Sequence, residues 1–190
     1  MVGLIGSGLL WGYLSLYMME VVGRVAGGAD EPPQWPALTD AWDIFYALVR
    51  MVAVLIISFF PAIVYVVALL WGYRDGDGQE LVLTVLLLLG ALYFPMALLA
   101  STLHDSLSGA SPFVVIPAIV RVALPYAAAC GAMGIAVYSS AMLTASASAV
   151  PVLGGVLVQI VSLYFLMVVM YILGIIYRLY EDRLGWFFDA

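Results

Sequence analysis

The sequence contains no lysine; its six basic residues are all arginine, set against twelve acids and a single histidine. Phosphate backbones are held by clustered cations, so a chain of net charge −6 without a basic cluster is not a nucleic-acid binder. Charged residues of both signs make up only 9% of the 190 positions, where a soluble domain carries about 25%. The one cysteine, Cys130, lies in an apolar stretch. That excludes an intrachain disulfide and any CxxC metal or redox motif, and it leaves a small buried residue as the simple reading. No Ser/His/Asp triad, Walker loop, dinucleotide fingerprint or zinc-protease motif can be assembled, so the expectation is that the protein is not an enzyme.

What is present is apolar: 66% of the residues are hydrophobic and the mean hydropathy is +1.14. Apolar runs longer than the roughly 18 residues needed to cross a bilayer recur along the chain. The composition predicts an all-α, polytopic transmembrane helix bundle, one integral membrane domain over residues 1–190. About five spans are expected, near 2–25, 44–71, 81–102, 126–144 and 150–176. The first is too long, and too short of N-terminal positive charge, for an ordinary signal peptide, and reads as a retained span.

Between the spans, residues 27–43 (GGADEPPQWPALTDAWD) combine three prolines, paired glycines and four acids, which predicts a loop, with 30–43 at the membrane interface. Trp35 and Trp42 suit the headgroup region. Residues 73–79 (YRDGDGQ) read as a tight polar turn; Asp75 and Asp77 lack the other ligands and the closing glutamate of a calcium loop. Residues 112–125 (PFVVIPAIVRVALP) hold three prolines and an arginine, which suits a short interfacial or re-entrant helix. Residues 177–188 read as an amphipathic tail anchored by Tyr, Trp and Arg. Pro61 and Pro95, inside the second and third spans, predict kinks at helix contacts.

With five spans, Arg24, Arg50, Arg121, Arg178 and Arg183 fall on one side and Arg74 alone on the other. The positive-inside rule then places the C-terminus in the cytoplasm and the N-terminus outside. No internal repeat of the kind that marks transporters is visible.

Ionisable residues in or beside the spans are functional candidates, because charge inside a bilayer is costly. They are Glu20, Arg50, His104 with Asp105, and Arg121. All but Glu20 fall near predicted span ends, where snorkelling to the headgroups lowers the cost. Glu20 is expected to pair with Arg24, one turn on, or with Arg50 on the next span. His104 has no second His, Cys or carboxylate cluster beside it, so a helix-end residue is a simpler reading than a metal or haem ligand. Gly8 and Gly12 match the small-xxx-small pattern for close helix contact. The fourth span, rich in Ala, Gly and Ser around Gly131 and Gly134, is expected in the middle of the bundle.

These residues resemble a group of bacterial polytopic membrane domains of unknown function. The likeness is carried by Gly12-Tyr13, by Pro32-Pro33-Gln34-Trp35 with Asp40-Ala41-Trp42, and by Tyr93 to Ala100 (YFPMALLA). Ser111-Pro112, Leu173 to Arg178 (LGIIYR) and Arg183 to Trp186 (RLGW) extend it over most of the chain. The resemblance implies a multi-pass protein of the bacterial inner membrane and carries no catalytic residues, cofactor or activity.

Two functions are expected to compete. One is a non-catalytic subunit or assembly factor of a larger membrane complex, working by helix packing with other membrane subunits and lipids. The other is a small transporter or channel-like protein, with Glu20, the proline-broken helices and polar groups such as Ser139, Ser140, Thr144 and Gln159 lining a path. No cofactor is predicted, although apolar grooves leave room for a lipid or pigment.

Overall fold

A computed structural model describes residues 2–29, 41–72, 78–147 and 154–186, with the side chains of 2–9, 41 and 147 outside the description. Six α-helices follow one another: α1 Val2–Ala26, α2 Ala41–Leu70, α3 Gln79–Leu103, α4 Pro112–Arg121, α5 Ala123–Ala147 and α6 Gly154–Leu184. A short 3-10 helix, Leu107–Ala110, links α3 to α4. No strand occurs among the described residues. The chain is therefore all-α.

Among the described residues, four helices, α2, α3, α5 and α6, are long and apolar enough to cross a membrane. At 1.5 Å per residue even 25 residues reach about 37 Å, beyond the roughly 30 Å hydrocarbon core. Their surfaces match that solvent: Leu70 on α2, Leu81 on α3, Leu124 on α5 and Leu179 on α6 are each 68–84% exposed. Side chains of this kind, standing outward on several helices, fit lipid and not water. The protein is a membrane-embedded helical bundle.

Several boundaries differ from the sequence expectation. Helix α2 begins at Ala41, so Trp42 lies inside its first turn; the rest of the expected interfacial loop, residues 30–40 with Trp35, lies outside the described residues. So do most of the 73–79 turn, Arg74 included, and residues 150–153 of the expected fifth span. The proline-rich segment forms α4, which ends at Arg121. Pro125 belongs instead to the first turn of α5, where a missing N–H costs nothing. Helices α2 and α3 run unbroken through Pro61 and Pro95. A break in helical geometry falls at Tyr180 in α6 (φ −127°, ψ 20°), and the expected tail continues as helix past it to Leu184.

The chain packs as two units. The first contains α1 as far as Leu16, α2, α3, the 3-10 helix and α4 as far as Val120. On α2 the buried positions Ala47, Arg50, Val54, Ser58 and Ala62 recur every three or four residues, forming one stripe along the helix. On α3 the pattern changes after Pro95: Met96 to Ala100 and Ser101 are all at most 1% exposed. Six consecutive buried residues point all round a helix, so this segment is covered on every side. The 3-10 helix supplies part of the cover, since a Cβ on Gly109 would stand 2.5 Å from the Ala100 carbonyl oxygen. Tyr93 ties the same segment down by donating its hydroxyl to the Ala110 carbonyl at 2.6 Å.

The second unit contains α1 from Tyr17, then α5 and α6. Here α1 is largely buried at Tyr17, Met18, Val21, Val22 and Val25, and it touches α6 at Gly174. A Cβ on Gly174 would lie 2.6 Å from Val25 Cβ and 3.1 Å from the Val22 carbonyl oxygen, so glycine alone permits this approach.

Candidate functional site

In the first unit the polar side chains converge where α3 ends. His104 caps α3 with helical φ/ψ, and Asp105 follows with φ 47°, in the left-handed region. The Asp105 N–H donates to the Thr102 carbonyl at 3.3 Å and the Ser106 N–H to the Ser101 carbonyl at 3.2 Å. This pair of bonds is the Schellman pattern that closes a helix, at whose left-handed position glycine is usual. An aspartate there costs about 1 kcal/mol or more of backbone strain relative to glycine. The carboxylate gives a reason for it.

That reason is Arg50. Its residue is 5% exposed, and its Nη2 donates to Asp105 Oδ1 at 2.5 Å. The guanidinium also lies over the Tyr46 ring, 4.8 Å from the centroid, one turn back on α2. Its Nε is buried without a hydrogen-bond partner. The Asp105 side chain, by contrast, is 87% exposed. The pair is thus a cation drawn into the protein and a carboxylate facing out, joining α2 to the end of α3.

Arg50 departs from the sequence expectation in one respect. It does not snorkel outward, because it sits on the buried stripe of α2. A second pair lies on α1, where the Glu20 carboxylate meets Arg24, one of the two partners expected for it, at 3.5 Å. Both side chains of that second pair are about a third to a half exposed, which makes it a weak, screened contact.

His104 bonds back to its own helix, its Nδ1 donating to the Ala100 carbonyl at 2.9 Å. Among the described residues no group of three or more His, Cys, Asp or Glu stands close enough to hold a metal ion. The 3-10 turn beyond is closed by Ser106, whose Oγ accepts from the Ser108 N–H at 3.2 Å. In the second unit Arg121 ends α4 and donates from Nη1 to the Leu184 carbonyl at 2.8 Å. A cation at the last carbonyls of α6 suits the helix dipole.

The glycines separate into two groups. Gly12 packs against α2, where a Cβ would meet Ile44 Cγ2 at 2.7 Å and the Ile44 carbonyl oxygen at 2.9 Å. A Cβ on Gly90 would stand 2.6 Å from the Phe59 ring. The surroundings of Gly8 lie outside the described residues. A Cβ on Gly131 or Gly134 would meet nothing within 4 Å beyond its own helix backbone. The expectation that these two pack in the middle of the bundle is therefore corrected: on α5, Ile135, Val137 and Tyr138 beside them are 60–69% exposed. Within the second unit one face of α5 is open, while Met133 and Ala136 on another face are buried.

Sequence reasoning gave no packing or bonding role to Tyr93, Gly90, Gly109 or Gly174. A glycine interrupting a leucine-rich run, as in LLLLGALYFP, was a signal for the second of these, since glycine costs a helix about 1 kcal/mol and needs a reason to be there.

Fold and site together define a class: a polytopic helical membrane protein with, among the described residues, a buried, ion-paired arginine. Compared with protein-family models, curated proteins and solved structures, the chain matches none.

Proposed function

We propose that the protein is a non-catalytic subunit or assembly component of a larger complex in a bacterial inner membrane, acting by helix packing. The observation that carries this reading is the open face of α5. Where glycines lie inside the chain, at Gly12, Gly90, Gly109 and Gly174, a neighbour fills the space that a Cβ would take. Gly131 and Gly134 have no such neighbour, yet each costs the helix about 1 kcal/mol relative to alanine. Small residues on a lipid-exposed face are the usual means by which a second helix approaches closely. The bias of arginines supports a cytoplasmic C-terminus.

The transporter reading draws less support. Glu20, the acid on which it chiefly rested, is paired with Arg24 on its own helix.

Native mass spectrometry of the tagged chain extracted in mild detergent tests the proposal. A stoichiometric partner chain is expected, and Gly131→Leu should release it while leaving the protein folded. A partner-free chain that transports a solute would overturn the reading.

A further inference from the structure

Helix α4 is too short to cross the bilayer: its ten residues rise about 15 Å, half of the roughly 30 Å core. From Pro112 to Val120 (PFVVIPAIV) it carries no polar side chain. One face, with Val115 and Ala118, is at most 1% exposed. The opposite face stands outward, with Phe113 90%, Ile116 53% and Val120 69% exposed at three- and four-residue spacing. A helix resting on a membrane surface turns a charged face to water. Helix α4 has no such face, because one side is packed and the other is apolar.

Contacts within the first unit fix the depth at which α4 starts. After α3 ends, the 3-10 helix folds back along it. Gly109 packs on the Ala100 backbone, and the Tyr93 hydroxyl donates to the Ala110 carbonyl. Ala100 lies three residues, or about 4.5 Å, inside the end of α3 at Leu103. Helix α3 has 25 residues and is about 37 Å long, so it exceeds the hydrocarbon core by only about 3–4 Å at each end. Ala110, and the start of α4 with it, is thus at the edge of the hydrocarbon and not out among the headgroups. Only Val122 separates the far end of α4 from α5, itself long enough to span, so that end too lies beside the core edge. Ser111 and Arg121 bound the apolar run, as polar groups do where a chain meets the headgroups.

We infer that α4 lies in the plane of the membrane at the hydrocarbon edge of one leaflet, with Phe113, Ile116 and Val120 inserted among the acyl chains. It is an anchor that sets the depth of the first unit in the bilayer. The partner of this face is the acyl layer and not a second protein helix. Helices approach one another closely in a membrane over Gly, Ala, Ser and Thr, whereas this face is built of Phe, Ile, Pro and Val. The inference is independent of the subunit reading, which rests on α5.

The test is spin-label accessibility of the full chain in liposomes of phosphatidylethanolamine and phosphatidylglycerol. Cys130→Ser leaves the chain without cysteine. Phe113→Cys, Ile116→Cys and Val120→Cys are then introduced and labelled one at a time, with Glu80→Cys in the exposed first turn of α3 as the water-facing control. Each label is read by its collisions with oxygen, which concentrates in hydrocarbon, against those with a nickel chelate, which stays in water. The oxygen-to-nickel ratio should exceed the control's at all three sites and be alike at Phe113 and Val120, which share one depth in an in-plane helix. Helical circular dichroism shows that each labelled chain is folded, and each folded site reports on the face by itself. A ratio no higher than the control's puts the face in water and overturns the inference. So does a low collision rate with both agents, which means that protein covers the face. A ratio that climbs steadily from Phe113 to Val120, the mark of a helix dipping toward the bilayer centre, overturns it as well.

Discussion

Replacing Asp105 by asparagine removes the charge opposite Arg50 while keeping a residue that tolerates left-handed backbone and an oxygen that can accept from Nη2. Two unit charges about 4 Å apart interact by about 4 kcal/mol at an effective dielectric constant of 20, and by about 1 kcal/mol in bulk water. Arg50 is enclosed and Asp105 is 87% exposed, so solvent screens the pair from one side only. Asp105→Asn should therefore destabilise the fold by about 1–2 kcal/mol. Asp105→Ala should cost more, about 2–3 kcal/mol, because it also removes the carboxylate acceptor and leaves the buried guanidinium only its contact with Tyr46. Asp105→Gly loses the same acceptor but relieves the strain of φ 47°, and should fall about 1 kcal/mol short of the alanine variant. Arg50→Met removes the buried charge together with its unpartnered Nε, and should be close to neutral. Equilibrium unfolding in mixed micelles of mild detergent and SDS, followed by helical circular dichroism, measures all of these. The decisive variant is the double one: in the Arg50→Met background, Asp105→Asn should cost almost nothing. An equal loss in both backgrounds would refute the pairing as the reason for an aspartate at this position.

The glycines allow a paired comparison by the same unfolding assay. Gly109→Ala drives a Cβ onto the Ala100 backbone and should destabilise by about 1–3 kcal/mol, whereas Gly131→Ala, with open space around it, should stabilise the isolated chain by up to about 1 kcal/mol. Arg121→Gln weakens the charged cap on the Leu184 carbonyl and should cost about 1 kcal/mol, with faster amide exchange confined to the last turn of α6; exchange unchanged there would show that the contact contributes nothing.

Much of the fold was legible because each long helix carries its own signal. Apolar runs such as those within α2 and α3 exceed bilayer thickness by themselves, and a helix satisfies its backbone hydrogen bonds internally, so class and approximate element positions need no knowledge of neighbours. Boundaries were less legible: Pro112, Pro117 and Pro125 look alike in sequence, yet Pro112 opens α4, Pro117 lies inside it and Pro125 falls in the first turn of α5. The candidate site was legible by residue type alone. Arg50 and Asp105 stood out as charges beside apolar spans, but they are 55 residues apart, and nothing local says that they meet.

The sequence by itself thus determined that the chain is helical and membrane-embedded and poor in charged groups. Tertiary structure alone decided which faces are covered. A glycine reads identically whether a neighbour touches it, as Val25 touches Gly174, or nothing does, as at Gly131. It decided too that Arg50 is enclosed and paired with Asp105, and that α1 and α6 leave a groove. The physical reason is range: hydropathy and hydrogen bonding within a helix act over a few residues, whereas close packing and ion pairing depend on side chains brought together from distant parts of the chain.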